Sequence, residues 1–160
     1  MEFLEKDLEE IIFNADKYEL AERGLWLQSG KLFRQLRIGK YGVADLVHAY
    51  FEYDQIDANN YIRPKLYVNV IELKKDKIGI SAFLQAVSYL RGIQRYLNRK
   101  HHMFDIELEI TLIGKSIDES GSFSYLPALL NNVSFYTYSY DFDGIRFEYH
   151  SGYKLIDEGF

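Results

Sequence analysis

A glutamate and a lysine extend the apolar row of one predicted strand. Because successive side chains of a strand point to opposite faces, Glu72 and Lys74 fall on the same face as three aliphatic residues before them. Burying a carboxylate beside aliphatic side chains costs free energy unless it has a charged partner, a metal ion or access to a cleft. The row therefore predicts either a buried ion pair or a site that does chemistry. The aliphatic residues are Leu66, Val68 and Val70.

A second carboxylate repeats this pattern in the preceding strand. Asp45 alternates with Val43 and Val47, so it is a lone acid in an apolar row. Facing the same way on neighbouring strands, Asp45 and Glu72 would offer the hard oxygen ligands that Mg²⁺ prefers. Lys74 could orient the attacking water and neutralise the charge of a phosphate. The spacing alone leaves a metal site and a structural ion pair equally open.

Three short motifs follow one another along the chain. They are Gly42-Val43-Ala44-Asp45, Glu72-Leu73-Lys74 and Gln85-Ala86-Val87-Ser88-Tyr89. In their order and context they resemble the GxxD, (D/E)xK and QxxxY motifs of the PD-(D/E)XK nuclease superfamily, in its RecB-like and NucS-like branch. Glu5-Lys6-Asp7-Leu8-Glu9 and Arg34-Gln35 are similar to flanking patterns of that branch, and the resemblance spans about residues 4 to 97.

The resemblance implies a Mg²⁺-dependent deoxyribonuclease that hydrolyses phosphodiester bonds by activated-water attack, with Mn²⁺ as a substitute metal. Carried over by motif, the metal ligands are the carboxylates of Asp45 and Glu72 and the main-chain carbonyl of Leu73, and Lys74 assists the water. The resemblance also implies a restriction-endonuclease-like core, ordered as a helix, three strands, a helix and a strand. DNA is then the expected partner.

Two further parts of the implied site lie on helices. Gln85 and Tyr89 are four residues apart and share a helix face. The resemblance implies that they orient Lys74 or a substrate phosphate; without the other motifs they read as a glutamine at a helix start and a tyrosine packed on the sheet. An acidic residue of the first helix is implied to complete the site through water. Glu5 and Glu9 both qualify, and we prefer Glu5 because it begins the matching stretch.

Hydrophobic periodicity predicts one α/β domain over residues 1 to 160, with a mixed sheet. Ser81 is the expected N-cap of the long second helix. Its residues expected to face the core are Phe83, Val87, Leu90 and Leu97. Asp143-Gly144 predicts the turn of an aromatic C-terminal hairpin. The predicted elements are a helix at 3–15, strands at 31–38, 43–53 and after Pro64, a helix at 81–100, a strand with one solvated face at 104–113, a short helix interrupted by Pro127 at 123–130, and strands at 133–142 and 145–153.

Several basic residues are candidates for nucleic-acid binding. Arg91 and Arg95 recur with Arg99 at four-residue spacing on one helix, which could face a DNA backbone. A solvated helix face explains this stripe equally well. Arg34 and Lys75 are candidates because they lie near the proposed active edge in sequence. The net charge of -5 argues mildly against a protein whose whole surface binds nucleic acid.

The composition restricts the class of protein. The chain has no cysteine, which removes thiolate metal sites and cysteine nucleophiles and fits a cytoplasmic protein. Its first residues do not read as a signal peptide, and no apolar run reaches the length of a membrane span, so we expect no membrane partner. The row of Tyr136, Tyr138, Tyr140 and Phe142 could stack bases, but sheet packing is the expected role.

A rival hypothesis is a non-catalytic domain that keeps the nuclease fold and binds nucleic acid or a protein partner. The acidic net charge and the lack of a separate DNA-binding domain favour it. The intact set of Asp45, Glu72 and Lys74 argues against it. A catalytic module of 160 residues is also a candidate for forming a homodimer or for acting with an accessory subunit.

Overall fold

The architecture comes from a computed structural model that describes residues 5–53, 64–100 and 104–151. The predicted connection at 54–63 and the two ends of the predicted elements, at 3–4 and 152–153, lie outside the described residues. The helices are α1 (Glu5–Asn14), α2 (Lys17–Glu22), α3 (Ile80–Lys100) and α4 (Leu126–Leu129), with 3-10 turns at Gly39–Tyr41 and Ser120–Tyr125. The strands are β1 (Lys31–Arg37), β2 (Val43–Glu52), β3 (Lys65–Leu73), β4 (Lys77–Ile78), β5 (Asp105–Gly114), β6 (Ser116–Ile117), β7 (Val133–Asp141) and β8 (Gly144–His150).

One mixed sheet of six strands organises the described chain, in the order β1-β2-β3-β5-β7-β8. β1, β2 and β3 are antiparallel neighbours, β5 and β7 continue the sheet in parallel, and β8 closes it as an antiparallel hairpin. The parallel pair of β3 and β5 needs a long crossover connection, which α3 provides. The α/β class with a mixed sheet is confirmed, and α2, β4 and β6 are additions to the predicted order.

Apolar side chains cover both faces of this sheet. On one face, residues of α3 pack against a row that includes Val47 and Val70. On the other face, Leu8 and Ile12 of α1 pack against residues such as Ile71. Because β3 is buried on both faces, its sequence is an almost continuous apolar run and not a simple alternation.

The buried face of α3 agrees with the predicted one except at Val87. The helix begins one residue before Ser81, so Ser81 lies in its first turn and is not the N-cap. Leu90 is buried and Phe83 and Leu97 pack against the core, as predicted, whereas Val87 is 40% exposed. Ala82 and Ala86 also belong to the buried stripe. A prediction based on large aliphatic residues missed them, because small side chains are what allow a helix to approach a sheet closely.

The C-terminal hairpin turns one residue earlier than predicted. Asp141 pairs with Gly144, so Phe142 and Asp143 form the loop and Gly144 opens β8. Gly144 has a φ of +98°, a conformation that glycine adopts without steric cost. The guanidinium of Arg23 donates to the carbonyl of Asp143 at 3.2 Å, and a Cβ on Gly144 would lie 2.9 Å from its Nη1 atom. Arg23 therefore adds a reason for glycine at this turn.

Two predicted patterns of the later strands hold only in part. Thr111 of β5 is 5% exposed and Glu109 is half-buried, so the predicted solvated face is covered toward the end of the strand. Tyr136 and Tyr138 are buried, as sheet packing requires, whereas Tyr140 is exposed.

Pro127 lies in the first turn of α4, where its missing N–H is tolerated, so it starts this helix and does not interrupt it.

The helices of the described ranges were also compared with the length of a bilayer. Within residues 5–53, 64–100 and 104–151, none is both long enough and apolar enough to cross a membrane.

Candidate active site

Asp45 and Glu72 lie beside each other on β2 and β3. The antiparallel register pairs Leu46 with Ile71, so the next step along both strands brings Asp45 opposite Glu72. Val47, two residues after Asp45, belongs to the core beneath α3, as do the apolar residues that precede Glu72 in its row. The two carboxylates therefore share the face of the sheet that α3 covers, as the alternation predicted.

Each carboxylate accepts a hydrogen bond from the main chain of the neighbouring strand. Oδ2 of Asp45 accepts from the amide of Leu73 at 3.0 Å, and Oε1 of Glu72 accepts from the amide of Asp45 at 3.5 Å. Glu72 is 2% exposed, whereas Asp45 is half-buried. These bonds hold the two carboxylates side by side where β3 ends, and the second oxygen of each takes no part in them.

The electrostatics of this pair favour a cation. Burial raises the pKa of Glu72 to about 8, and the charge of Asp45 adds to the rise. Burial also raises the pKa of Asp45, with contributions in the same direction from Glu9 and Glu5, while the amide of Leu73 and the charge of Lys74 oppose it. A buried and a half-buried carboxylate that repel each other are stabilised by a proton, an ammonium group or a metal ion.

Lys74 lies at the edge of the same pair. It follows directly after β3 and is half-buried. Its amide donates to the carbonyl of Ile113 at 2.8 Å, which holds this residue beside β5. The charge of its ammonium group lowers the pKa of both Asp45 and Glu72. The structure thus brings the two predicted acids and the predicted lysine into one place.

Tyr89 of α3 lies near the carboxylates of Asp45 and Glu72. Its side chain is 4% exposed, and burial, followed by the charge of Glu72, raises the pKa of its hydroxyl. The side-chain amide of Gln85 donates to the Tyr89 hydroxyl at 2.8 Å. Gln85 is exposed and reaches the site through this tyrosine. The two residues are therefore paired, with Tyr89 nearer to the carboxylates.

Gly42 shows why the first motif begins with glycine. Its φ of +112° and ψ of -154° lie in a region that is almost restricted to glycine. A Cβ at this position would lie 3.1 Å from Cε1 of Tyr89. The turn before β2 therefore lets the Tyr89 ring pack closely against the chain, three residues before Asp45.

Gly42→Ala is expected to destabilise the protein by about 2 to 3 kcal/mol, because it combines a strained backbone with a close contact to Tyr89. Gly39→Ala is the matched control: Gly39 is in the same turn with a φ of +48°, and a Cβ there would meet nothing within 4 Å. It should cost only about 1 kcal/mol. Urea denaturation followed by circular dichroism measures both values, and equal losses would contradict the packing of Tyr89 on Gly42.

The two candidate glutamates of α1 have different environments. Glu9 is 5% exposed, and its two oxygens accept from Nε of Arg34 at 2.5 Å and from the side-chain amide of Gln35 at 2.8 Å. Glu5 is exposed and accepts from the amide of Lys75 at 3.2 Å. Glu9 therefore attaches α1 to β1, and Glu5 has the more accessible carboxylate.

Gln35 is a residue of this region whose role the sequence did not reveal. Its φ of +49° is uncommon for a residue other than glycine. Its neighbours Arg34 and Leu36 pair with β2 on either side of Asp45, so Gln35 lies level with Asp45 in the sheet. In this conformation its side-chain amide donates to Glu9 at 2.8 Å, so it connects β1 to α1. No local sequence pattern predicts such a conformation at a glutamine.

The basic residues predicted to contact nucleic acid have different surroundings. Arg34 is engaged by Glu9 and, at 3.5 Å, by Glu10, so a phosphate would have to compete with two carboxylates for it. Lys75 is half-buried, and its carbonyl accepts from the hydroxyl of Tyr138 at 2.5 Å. Arg91 is exposed on α3. Arg95 is also exposed there and donates to the hydroxyl of Tyr41 at 2.8 Å.

A groove of about 890 Å³ lies between α3 and the first three strands. Its walls include Val47 and Ala49, which belong to the same row of β2 as Asp45, but neither Asp45 nor Glu72 lines it. No acidic side chain lies among the described residues that line it. Its aromatic side chains are Phe33, Tyr41, Phe51, Tyr96 and Phe104, and its basic side chains are Arg37, Lys40, Arg95, Arg99 and Lys100.

The chemistry of the donor set fits a small, hard divalent cation. Mg²⁺ is usually bound through one or two carboxylates, with water and phosphate oxygens in its other positions. Asp45 and Glu72 supply two such carboxylates. No group of three histidine, cysteine, aspartate or glutamate side chains that could hold a metal ion occurs among the described residues. Further ligands would therefore come from the main chain, water or substrate.

The chain was also compared with known proteins. No protein-family model matches the sequence, and no curated protein or solved structure gave a significant match.

Proposed function

We propose that this protein is a Mg²⁺-dependent deoxyribonuclease of the PD-(D/E)XK kind. The observation that carries the proposal is the pair of adjacent carboxylates, Asp45 and Glu72, held at the end of β3 with Lys74 beside them. A buried pair of this kind is costly for the fold alone, because neither acid has a hydrogen-bonded cationic partner among the described residues. A metal ion would offset that cost.

The arrangement of the elements supports the same proposal. A restriction-endonuclease-like core requires a helix, three strands, a helix and a strand, and α1, β1, β2, β3, α3 and β5 follow in that order. The residues of the three motifs lie on β2, at the end of β3 and on α3. The elements that carry them are neighbours, because α3 packs on the face of the sheet to which both carboxylates belong.

In the proposed reaction, the carboxylates of Asp45 and Glu72 and the carbonyl of Leu73 would hold the ion. Bound Mg²⁺ would supply Lewis-acid stabilisation of the phosphate charge and lower the pKa of a water molecule. The hydrogen bond from the Leu73 amide keeps Asp45 in position. Mn²⁺ would substitute for Mg²⁺, because it also accepts oxygen ligands.

The remaining residues act on the water and the phosphate. Lys74 would neutralise charge on the scissile phosphate and orient the attacking water, since its ammonium group already acts on both carboxylates. Tyr89, held by Gln85, would orient Lys74 or a phosphate oxygen through its hydroxyl. Glu5 would complete the site through water, and Glu9 would act only by positioning α1.

The groove between α3 and the sheet supports DNA as the substrate. Its basic residues would pair with phosphates, and its aromatic rings would stack on bases, which is the usual combination in sites for single-stranded nucleic acid. The chain as a whole has a net charge of -5, so five basic residues in one groove form a local exception that a phosphate backbone would favour. We propose that the protein works on DNA in the cytoplasm, with a second copy or an accessory subunit as the candidate source of further DNA contacts.

A cleavage assay tests the proposal. Wild-type protein and Asp45→Asn are purified in parallel and incubated with single-stranded, duplex and branched DNA in Mg²⁺, Mn²⁺ or EDTA. Glu107→Gln is the matched control, because it makes the same kind of change at an exposed carboxylate on β5. We expect metal-dependent cleavage by wild type and Glu107→Gln only.

The outcomes separate the proposal from its rival. Cleavage that is equal in wild type and Asp45→Asn, or that persists in EDTA, would refute the assigned site. DNA binding without metal-dependent turnover in any substrate would favour the non-catalytic domain instead.

A further inference from the structure

A second group of polar side chains lies on the face of the sheet opposite to the carboxylate pair. His48 of β2 pairs with Asn69 of β3, which in turn pairs with Glu109 of β5, so the three residues form a row across the sheet. Thr111 lies two residues further along β5 on the same face. His48, Asn69 and Thr111 are all at least nine-tenths buried. Buried polar residues on three strands need a structural or a binding explanation.

These residues line a cavity of about 140 Å³. One wall is the sheet, and the segment Leu25–Gln28 covers it from above. The main chain at Gln28 raises the pKa of the His48 ring, and the main chain at Trp26 lowers the pKa of the Tyr136 hydroxyl. The covering segment therefore lies against the polar side chains of the sheet at both residues.

Two side chains that line the cavity have oxygen atoms that can accept hydrogen bonds from a ligand. The hydroxyl of Tyr50 donates to Oε1 of Glu109 at 2.8 Å, and the hydroxyl of Thr111 donates to Oδ1 of Asn69 at 3.0 Å. A carboxylate and an amide oxygen can each accept more than one bond. Glu109 and Asn69 therefore have capacity for a ligand that donates hydrogen bonds.

The charge around the cavity is negative. Glu109 is the one ionisable acid among the described residues that line it, and no lysine or arginine lines it. Burial raises the pKa of Glu109, and the charges of Glu52 and Glu107 act in the same direction. Burial lowers the pKa of His48, which favours its neutral ring. A half-buried carboxylate in acidic surroundings favours a cationic ligand.

We propose that this cavity is a binding site for a small planar cation with several N–H donors, of the guanidinium or amidinium class. A cavity of about 150 Å³ can hold one benzene ring, so this one is of a size for a single planar group. The aromatic side chains of Trp26, Tyr50 and Tyr136 line the cavity, and guanidinium groups stack well on aromatic rings, although one face of the Tyr50 ring is already stacked on Tyr67. A hard divalent cation fits less well, because the cavity supplies a single carboxylate.

Trp26 makes the proposal directly testable. It is the chain's only tryptophan, it lines the cavity, and it is 73% exposed. Methylguanidinium is titrated into the wild-type protein while Trp26 fluorescence is recorded, with urea as the neutral planar control. We expect a saturable change for methylguanidinium in the millimolar range and none for urea at the same concentrations.

Variants locate the site. Glu109→Gln should weaken binding by roughly tenfold or more, because it removes the charge that pairs with the ligand. Glu107→Gln, the matched change two residues away on the exposed part of β5, should alter affinity less than about twofold. Ser134 lines the same cavity, so the larger side chain of Ser134→Leu should fill it and prevent binding. This variant provides a second test if Glu109→Gln does not fold.

Three results would overturn the proposal. They are a fluorescence change that does not saturate in wild type, equal responses to methylguanidinium and urea, and unchanged affinity in both Glu109→Gln and Ser134→Leu. Circular dichroism of each variant confirms that the fold is retained. Because the cavity and the carboxylate pair lie on opposite faces of the sheet, DNA cleavage by Glu109→Gln should remain at the wild-type level.

Discussion

Glu72→Gln is expected to abolish metal-dependent DNA cleavage while the protein stays folded. The amide retains the shape of the side chain and can still accept from the amide of Asp45, so the packing at the end of β3 is preserved. It removes one of the two anionic oxygen ligands proposed for Mg²⁺. We expect a loss in cleavage rate of about a thousandfold or more, which corresponds to about 4 kcal/mol of transition-state stabilisation.

Single-turnover cleavage of a labelled DNA measures this loss, and calorimetric titration with Mn²⁺ measures binding of the ion. Glu107→Gln again controls for the change in net charge. Retained activity in Glu72→Gln would exclude Glu72 as an essential ligand. Lost activity with unchanged Mn²⁺ affinity would also contradict its assignment, because the defect would then lie outside the metal site.

Without divalent metal, the protein is expected to become less stable as the pH rises from about 4.5 to about 8. The ordinary pKa of Glu72 is 4.5, and burial raises it to about 8 in the folded protein. The folded state therefore binds more protons than the unfolded state in this interval, so the free energy of unfolding falls with rising pH. The slope is at most about 1.4 kcal/mol per pH unit for one group.

Neighbouring groups modify the size of this effect but not its sign. Burial raises the pKa of Asp45 as well, which adds to the loss of stability at higher pH. Lys74 acts in the opposite direction on both acids, and Glu5 acts in the same direction as burial. The total loss is expected to be on the order of a few kcal/mol.

Urea denaturation in EDTA at a series of pH values from about 5 to about 9 measures this dependence. Glu72→Gln should flatten it, because the amide does not titrate, and should be more stable than wild type above about pH 8. Mg²⁺ should restore stability to wild type at high pH and have little effect on Glu72→Gln. Parallel curves for the two proteins in EDTA would show that Glu72 is not the titrating group.

The sequence predicted the local geometry of the candidate site well. Alternation along two strands placed Asp45 and Glu72 on one face, and the four-residue spacing of Gln85 and Tyr89 placed them on one helix face. Both results follow from the fixed periods of the strand and the helix, which depend only on backbone geometry. The helix stripe was predicted correctly at Phe83, Leu90 and Leu97, but Val87 proved exposed.

Other features depend on residues that are distant in sequence. The two oxygens of Glu9 are used by Arg34 and Gln35, which changes the role expected for an acid of α1 and weakens the DNA-binding role expected for Arg34. The left-handed backbone of Gln35 has no local signal either. Such contacts depend on where α1 lies against β1, which a helical period does not determine.

By itself, the sequence determined the class of fold, the faces of the strands and the residue types available for chemistry, because these follow from local backbone periods and from composition. The tertiary structure alone decided that Asp45 lies opposite Glu72 and that Tyr89 covers Gly42. It also decided that His48, Asn69 and Glu109 form one row beside a cavity. The physical reason is that strand order and register are set by burying both faces of the sheet at once, which is a property of the whole chain.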